Sequence, residues 1–131
     1  MPTAAEHRSE AASLTDLLDS ARSVRAQIVH DRDDVGLRGG PSMVVGWALD
    51  ASVADLDVLG RLGSHLVDEL HRRAGLCDEY TAALQRHTDA HRRWVAALDR
   101  YRATAAGDHP SPWPGPEPLP PVAPFPGATA G

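Results

Sequence analysis

The sequence predicts an all-α protein, either a helical hairpin or a three-helix bundle, with a disordered proline-rich C-terminal tail. Apolar residues recur in steps of four and three over residues 45–101, and a repeat sustained that long is typical of packed helices. No proline lies between Pro41 and Pro110, so nothing in that stretch removes a helical hydrogen bond. Nine of the 11 prolines fall after Gly107, which indicates an extended tail without helix or strand.

The repeat defines a set of positions that we call the seam. Its members are Val45, Leu49, Ser52, Leu56, Leu59, Gly63, Leu66, Leu70, Arg73, Cys77, Tyr80, Leu84, His87, His91, Trp94, Leu98 and Tyr101. Residues three and four apart share one side of a helix, so the seam predicts one continuous apolar face. The residues that we expect to bind a partner through this face are Leu66, Leu70, Tyr80, Leu84, Trp94, Leu98 and Tyr101.

Three segments follow from these patterns. Residues 1–12 are expected to be a frayed N-terminus, residues 13–106 a helical domain, and residues 107–131 a disordered tail. The first helix is predicted to begin at Ser13, which can accept a hydrogen bond from the next turn, and to end near His30. A loop over residues 31–41 follows, because three glycines and Pro41 oppose a helix there.

Gly75 separates the two alternatives for the second helical region. Arg72 and Arg73 precede it and Asp78 follows it, an order typical of a helix that stops and restarts. A break there predicts a three-helix bundle that closes on itself. Without a break, one long helix extends beyond its short partner, and its last turns need cover from a second chain. The width of the apolar stripe favours a bundle.

The tail is expected to act as a spacer or as a docking segment. Pro118 and Pro121 belong to proline spacings that aromatic-lined domains recognise, although such spacings are common in any proline-rich run. If the tail docks, Trp113 and Phe125 are the expected anchors, and the partner is a domain that binds proline motifs.

Little in the sequence indicates chemistry at a site. His87 and His91 lie four residues apart on one helical face, so a metal-binding protein using this pair is one alternative. Cys77, about 15 Å along the helix from His87, is too distant to join them, and we expect a small core residue there. No catalytic arrangement is recognisable, so the prediction is a protein that is not an enzyme and has no cofactor.

Composition narrows the partners and the location. The net charge of −5 argues against nucleic acid, which requires clustered cations. The longest apolar run, residues 43–49, is far shorter than the roughly 20 residues of a membrane span. The first ten residues have no apolar core typical of a signal peptide. We therefore expect a cytoplasmic protein, or one exported without a cleavable signal.

Together these patterns predict a non-enzymatic helical interaction protein that packs with itself or with a helical partner through the seam. Over residues 13–106, a short helix, a glycine-bearing loop near Trp47 and a longer helix with an aromatic end resemble the small helical-hairpin proteins of type VII (ESX) secretion. The Trp-x-Gly turn of that family is not met, because Gly46 precedes Trp47. Its Tyr-x-x-x-acid signal is not met either, because Ala105 lies four residues after Tyr101. The resemblance implies a secreted substrate or a secretion chaperone.

Overall fold

A computed structural model describes residues 2–36 and 42–130 of the chain. It contains two helices, α1 (Ala4–Gly36) and α2 (Ser42–Thr104), packed together as a hairpin. The described residues include no strand. The all-α prediction is confirmed, and of its two alternatives the structure has the hairpin.

Helix α1 is longer at both ends than the sequence predicts. It begins at Ala4, not at Ser13, so residues 4–12 are helical instead of frayed. Ala4, His7 and Ala11 are all buried and lie three and four residues apart, on one face of the helix. Burial of that short stripe stabilises turns that have little amphipathic signal of their own. Helix α1 also continues through the first part of the expected loop to Gly36, and residues 37–41 of that loop lie outside the described residues.

Helix α2 runs for 63 residues without a break at Gly75. A glycine inside a helix costs only about 1 kcal/mol relative to alanine, and the buried neighbours Ala74 and Cys77 hold this part of α2 in place. The arginines that suggested a helix end have another role. Arg72 and Arg73 both bind the carboxylate of Glu69, at 2.7 and 3.0 Å.

The chain divides into two compact units, of which the first comprises residues 6–73. In this unit, which we call the hairpin unit, α1 packs against the first half of α2. Arg25 Nε donates to Asp57 Oδ1 at 2.6 Å and Arg32 Nε to Asp50 Oδ1 at 2.9 Å, so the two helices run antiparallel. Gly63 allows the helices to approach closely, because a Cβ there would lie 2.5 Å from Leu18 Cδ2.

The second unit, which we call the tail unit, comprises residues 1–5 and 74–131. After α2 ends, the chain turns back, and the turn is held by two hydrogen bonds to Thr104. The Gly107 amide donates to the Thr104 carbonyl at 3.0 Å, and the Ser111 amide donates to Thr104 Oγ1 at 2.7 Å. From there the proline-rich segment runs in the opposite direction along α2. This arrangement differs from the disordered tail that the sequence predicts.

Candidate functional site

The second half of α2 presents a row of seam residues to the tail, and we call this row the strip. Its members are Cys77, Tyr80, Leu84, His87, His91, Trp94, Leu98 and Tyr101. All are buried or half-buried. The strip is therefore a covered surface, and its cover is the proline-rich segment of the same chain.

The aromatic end of the strip holds the start of the tail. The ring of Trp113 lies edge-on to Tyr101, with centroids 5.2 Å apart and planes at 75°, an arrangement that aromatic rings prefer. Trp94 Nε1 donates a hydrogen bond to the Gly115 carbonyl at 3.0 Å. Gly115 has a φ of 84°, a conformation that residues with a Cβ rarely adopt, so this contact depends on a glycine.

The two histidines bind the middle of the tail. His91 Nε2 lies 2.8 Å from Glu117 Oε1, a contact that becomes an ion pair when the ring is protonated. His87 Nε2 lies 3.2 Å from the Pro118 carbonyl. Because a carbonyl oxygen can only accept, this nitrogen of His87 must carry the hydrogen. Among the described residues, no group of three or more His, Cys, Asp or Glu side chains is placed to hold a metal ion.

The far end of the tail is anchored by apolar contacts. Phe125 and Ala128 pack against a buried cluster of Ala4, Ala74 and Cys77. Cys77 is fully buried, which agrees with its predicted place in the core. Thr129 Oγ1 also donates to the Pro2 carbonyl at 2.8 Å. The tail is thus held at both of its ends as well as in the middle.

The length of the tail matches the length of the strip. An extended proline-type segment rises about 3.1 Å per residue, so residues 113–125 span about 37 Å. An α-helix rises about 1.5 Å per residue, so residues 77–101 span about 36 Å. This agreement, together with aromatic anchors at both ends of the tail, is the sequence signal that could have revealed the arrangement.

The structure divides the predicted site residues between two environments. Leu66 is 51% exposed, and Leu70 is half-buried within the hairpin unit. The other predicted partner-binding residues, Tyr80, Leu84, Trp94, Leu98 and Tyr101, belong to the strip.

The predicted docking residues of the tail contact the chain's own helix. Trp113 and Phe125 are anchors, as expected, and the Pro118 carbonyl accepts from His87. Pro121 lines a shallow surface cavity together with Tyr80 and Pro124. The receptor of the tail is therefore α2, a possibility that the sequence analysis did not consider.

The hairpin unit contains an apolar surface that nothing in the described chain covers. We call it the hairpin face, and its members are Leu17, Val24, Leu59, Leu62 and Leu66. Each of these side chains is between 51% and 67% exposed. Leu59, Leu62 and Leu66 follow one another at three and four residues along α2, and Leu17 and Val24 are seven residues apart on α1, so each set lies on one side of its helix.

A second surface of the hairpin unit is a groove between α1 and α2 that combines charged and apolar groups. It is lined by the polar residues Arg22, Arg25, Asp57, Arg61, Ser64, His65 and Asp68 and by Leu18, Ala21, Leu56 and Gly60. Arg25 and Asp57 close part of this groove with their ion pair. Charged side chains therefore border the groove, whereas the hairpin face consists of leucines and one valine.

Acidic groups dominate the charge of the hairpin unit. Residues 6–73 contain eight arginines and twelve acidic residues, a formal net charge of −4. Hydrogen bonds from Arg72 and then Arg73 lower the pKa of Glu69 from its ordinary 4.5 to about 2. Hydrogen bonding to Asp50 raises the pKa of Arg32.

Comparisons with known proteins add no relative. No protein-family model, curated protein or solved structure matches this chain. In the part of the chain that the structure describes, neither helix has a stretch long and apolar enough to cross a membrane.

Proposed function

We propose that the chain is a non-enzymatic interaction protein whose hairpin face binds an amphipathic helix of another protein. The observation that supports this proposal is the exposure of Leu59, Leu62 and Leu66 on adjacent turns of α2. Isolated exposed leucines are ordinary, but a contiguous apolar surface on a folded chain marks an interaction site. Adjacent leucines on a helical pair form the groove that helix-in-groove recognition uses.

The charge of the hairpin unit indicates the chemistry of the partner. A helix with an apolar face and arginine or lysine at its margins complements the net charge of −4 on residues 6–73. A second copy of the chain would bring the same negative charge to the interface. Charge complementarity raises the association rate and disfavours like-charged partners. The favoured partner is therefore a helix with arginine or lysine beside its apolar face.

Two synthetic helical peptides test this proposal with the full-length chain. They share one leucine face and differ only at the margins, which carry arginine in one peptide and glutamate in the other. We expect the arginine peptide to bind at least about tenfold more tightly at low salt, a difference of about 1.4 kcal/mol, and the preference to shrink as salt rises. Fluorescence anisotropy of a labelled peptide measures both affinities.

A matched pair of variants locates the binding surface. Leu62→Asp and Ser64→Asp add the same charge two residues apart, on the hairpin face and in the groove between the helices respectively. Leu62→Asp should weaken binding of the arginine peptide at least about tenfold, whereas Ser64→Asp should leave it nearly unchanged. Equal effects of the two variants, or no binding of either peptide, would contradict the proposal.

Self-association is the other outcome that the same variants resolve. If sedimentation shows that the unmodified chain dimerises at micromolar concentration, and Leu62→Asp alone abolishes the dimer, then a second copy occupies the hairpin face. Secretion by a type VII system, implied by the resemblance in sequence, stays a prediction. Detection of the protein outside the cell is the measurement that bears on it.

A further inference from the structure

The contacts between the tail and the strip are those of a peptide bound to a receptor. A proline-type extended chain has no internal hydrogen bonds, so its carbonyl oxygens remain available to side-chain donors. Trp94 Nε1 binds the Gly115 carbonyl, and His87 Nε2 binds the Pro118 carbonyl. Aromatic side chains that line a groove and donate to such carbonyls are the usual means of recognising proline-rich segments. The strip recognises the tail as a ligand, and covalent attachment is not needed for any of these contacts.

The tail is bound along one edge only. Leu119 and Val122 are 88% and 90% exposed, and Trp113 keeps 60% of its surface in solvent. Few apolar atoms are therefore removed from water between the two ends of the tail, and the free energy that holds it in place is correspondingly small. A segment bound in this shallow way can leave its site without unfolding the helix beneath it.

The connection between α2 and the tail is short and simple to open. Only residues 105–110 reverse the chain, and the hydrogen bonds that hold the turn are those from the Gly107 and Ser111 amides to Thr104. Straightening this turn breaks two hydrogen bonds, each worth about 1 kcal/mol net. Exchange of an identical terminal element between copies through such a hinge is a low-cost route to a dimer.

We propose that the strip also binds the tail of a second copy of the chain, so that two copies exchange their proline-rich tails. A second copy supplies the same anchors, Trp113 and Phe125, at the spacing that spans the strip. It also supplies Glu117 to meet His91. In a single chain the attached tail competes at an effective concentration on the order of millimolar. Exchange is therefore suppressed in dilute solution and favoured wherever one tail is displaced or copies are concentrated.

Two complementary full-length variants test tail exchange. The strip variant, Trp94→Ala with Tyr101→Ala, keeps an intact tail that has lost its receptor. The tail variant, Trp113→Ala with Phe125→Ala, keeps an intact receptor that has lost its ligand. We expect each variant alone to be monomeric and their mixture to form a one-to-one dimer as the concentration approaches about 1 mM, the effective concentration of an attached tail, measured by sedimentation velocity.

The control is a chain with all four substitutions, which should form no dimer with either variant. A mixture of the two complementary variants that stays monomeric, while both keep the helical circular dichroism of the unmodified chain, would overturn the proposal. If the alanine variants lose helix, Trp94→Phe, which removes the indole N–H donor but keeps an aromatic ring, and Phe125→Leu form the complementary pair. The same two outcomes then apply to that pair.

The experiment also separates tail exchange from binding at the hairpin face. Introducing Leu62→Asp into both complementary variants should leave their dimer intact, because Leu62 belongs to the hairpin unit and the exchanged contacts belong to the tail unit. A dimer that disappears with Leu62→Asp would show that copies associate through the hairpin face, and tail exchange would be rejected.

Discussion

The two halves of α2 carry the same apolar repeat but meet different environments. In the first half, Leu59 and Leu66 of the seam are more than half exposed. In the second half, the seam from Cys77 to Tyr101 is buried or half-buried beneath the proline-rich tail. The comparison shows that an apolar helical face does not by itself identify a partner site, because the chain itself can supply the cover.

The reason for the difference is the width of each apolar face and the shape of its cover. In the hairpin unit, α1 packs against one side of α2 and leaves an adjoining row that includes Leu62 in solvent. One helix cannot cover a stripe wider than the line along which two helices touch. In the tail unit, an extended chain follows the strip residue by residue, because its anchors are spaced to the same length.

The largest effect is expected from placing a charge in the buried half. Cys77→Asp puts a carboxylate in a fully buried site beside Ala74 and should cost about 2–3 kcal/mol of unfolding free energy, because displacement of the tail can return the carboxylate to water. Leu62→Asp, at an exposed position of the other half, should change that free energy by no more than about 0.5 kcal/mol. Urea unfolding followed by circular dichroism measures both. Similar losses in the two variants would remove the distinction between the halves.

A smaller effect tests the close approach of the helices in the hairpin unit. Gly60→Ala should stabilise the protein by up to about 1 kcal/mol, because a Cβ there meets nothing within 4 Å. Gly63→Ala should instead destabilise it by about 1 kcal/mol, since its Cβ would collide with Leu18. The thermal midpoints of the two variants should move in opposite directions. A rise in both would mean that the Leu18 side chain moves aside at little cost in free energy.

Loss of a tail anchor should loosen the tail without unfolding α2. Phe125→Ala removes the ring that packs against Ala74 and Cys77. Because Phe125 is only half-buried, the substitution should weaken the binding of the tail to α2 by about 1–2 kcal/mol. Hydrogen exchange at Trp94 Nε1 should then quicken by about five- to thirtyfold. Val122→Ala, at a residue 90% exposed, is the control. Unchanged exchange in Phe125→Ala would mean that this anchor does not hold the tail.

The smallest effect concerns acid stability in the hairpin unit. Because the pKa of Glu69 is lowered in the folded protein from 4.5 to about 2, ionised Glu69 stabilises the folded state fully above pH 4.5. This stabilisation is lost as the pH falls toward 2. Glu69→Gln should therefore lose less stability than the unmodified chain over this range, with Asp68→Asn as the control. Since both partners of Glu69 are exposed, solvent screening keeps the effect small. Parallel pH profiles of the unmodified chain and Glu69→Gln would refute this assignment.

Several features of the fold are accessible from the sequence because they depend on local periodicity. The repeat through Leu56, Leu70 and Leu84 indicates a long helix whatever lies beside it. Trp113 and Phe125 are identifiable as anchors because large apolar side chains are otherwise rare in the tail. The prediction of a frayed N-terminus was wrong, because Ala4, His7 and Ala11 have too little hydrophobic contrast to indicate burial. The predicted break at Gly75 was wrong for a different reason. There, the arginines that resemble a helix end bind the side chain of Glu69.

The sequence by itself determined that the chain forms helices with an apolar seam and ends in an extended segment. These are properties of short stretches, governed by the period of the apolar residues and by the missing amide of proline. Only the tertiary structure decided which part of the seam stays in water and which part the tail covers. That choice depends on contacts between residues far apart in the chain, such as Cys77 with Phe125. An extended segment has no apolar period from which the surface that it contacts could be predicted.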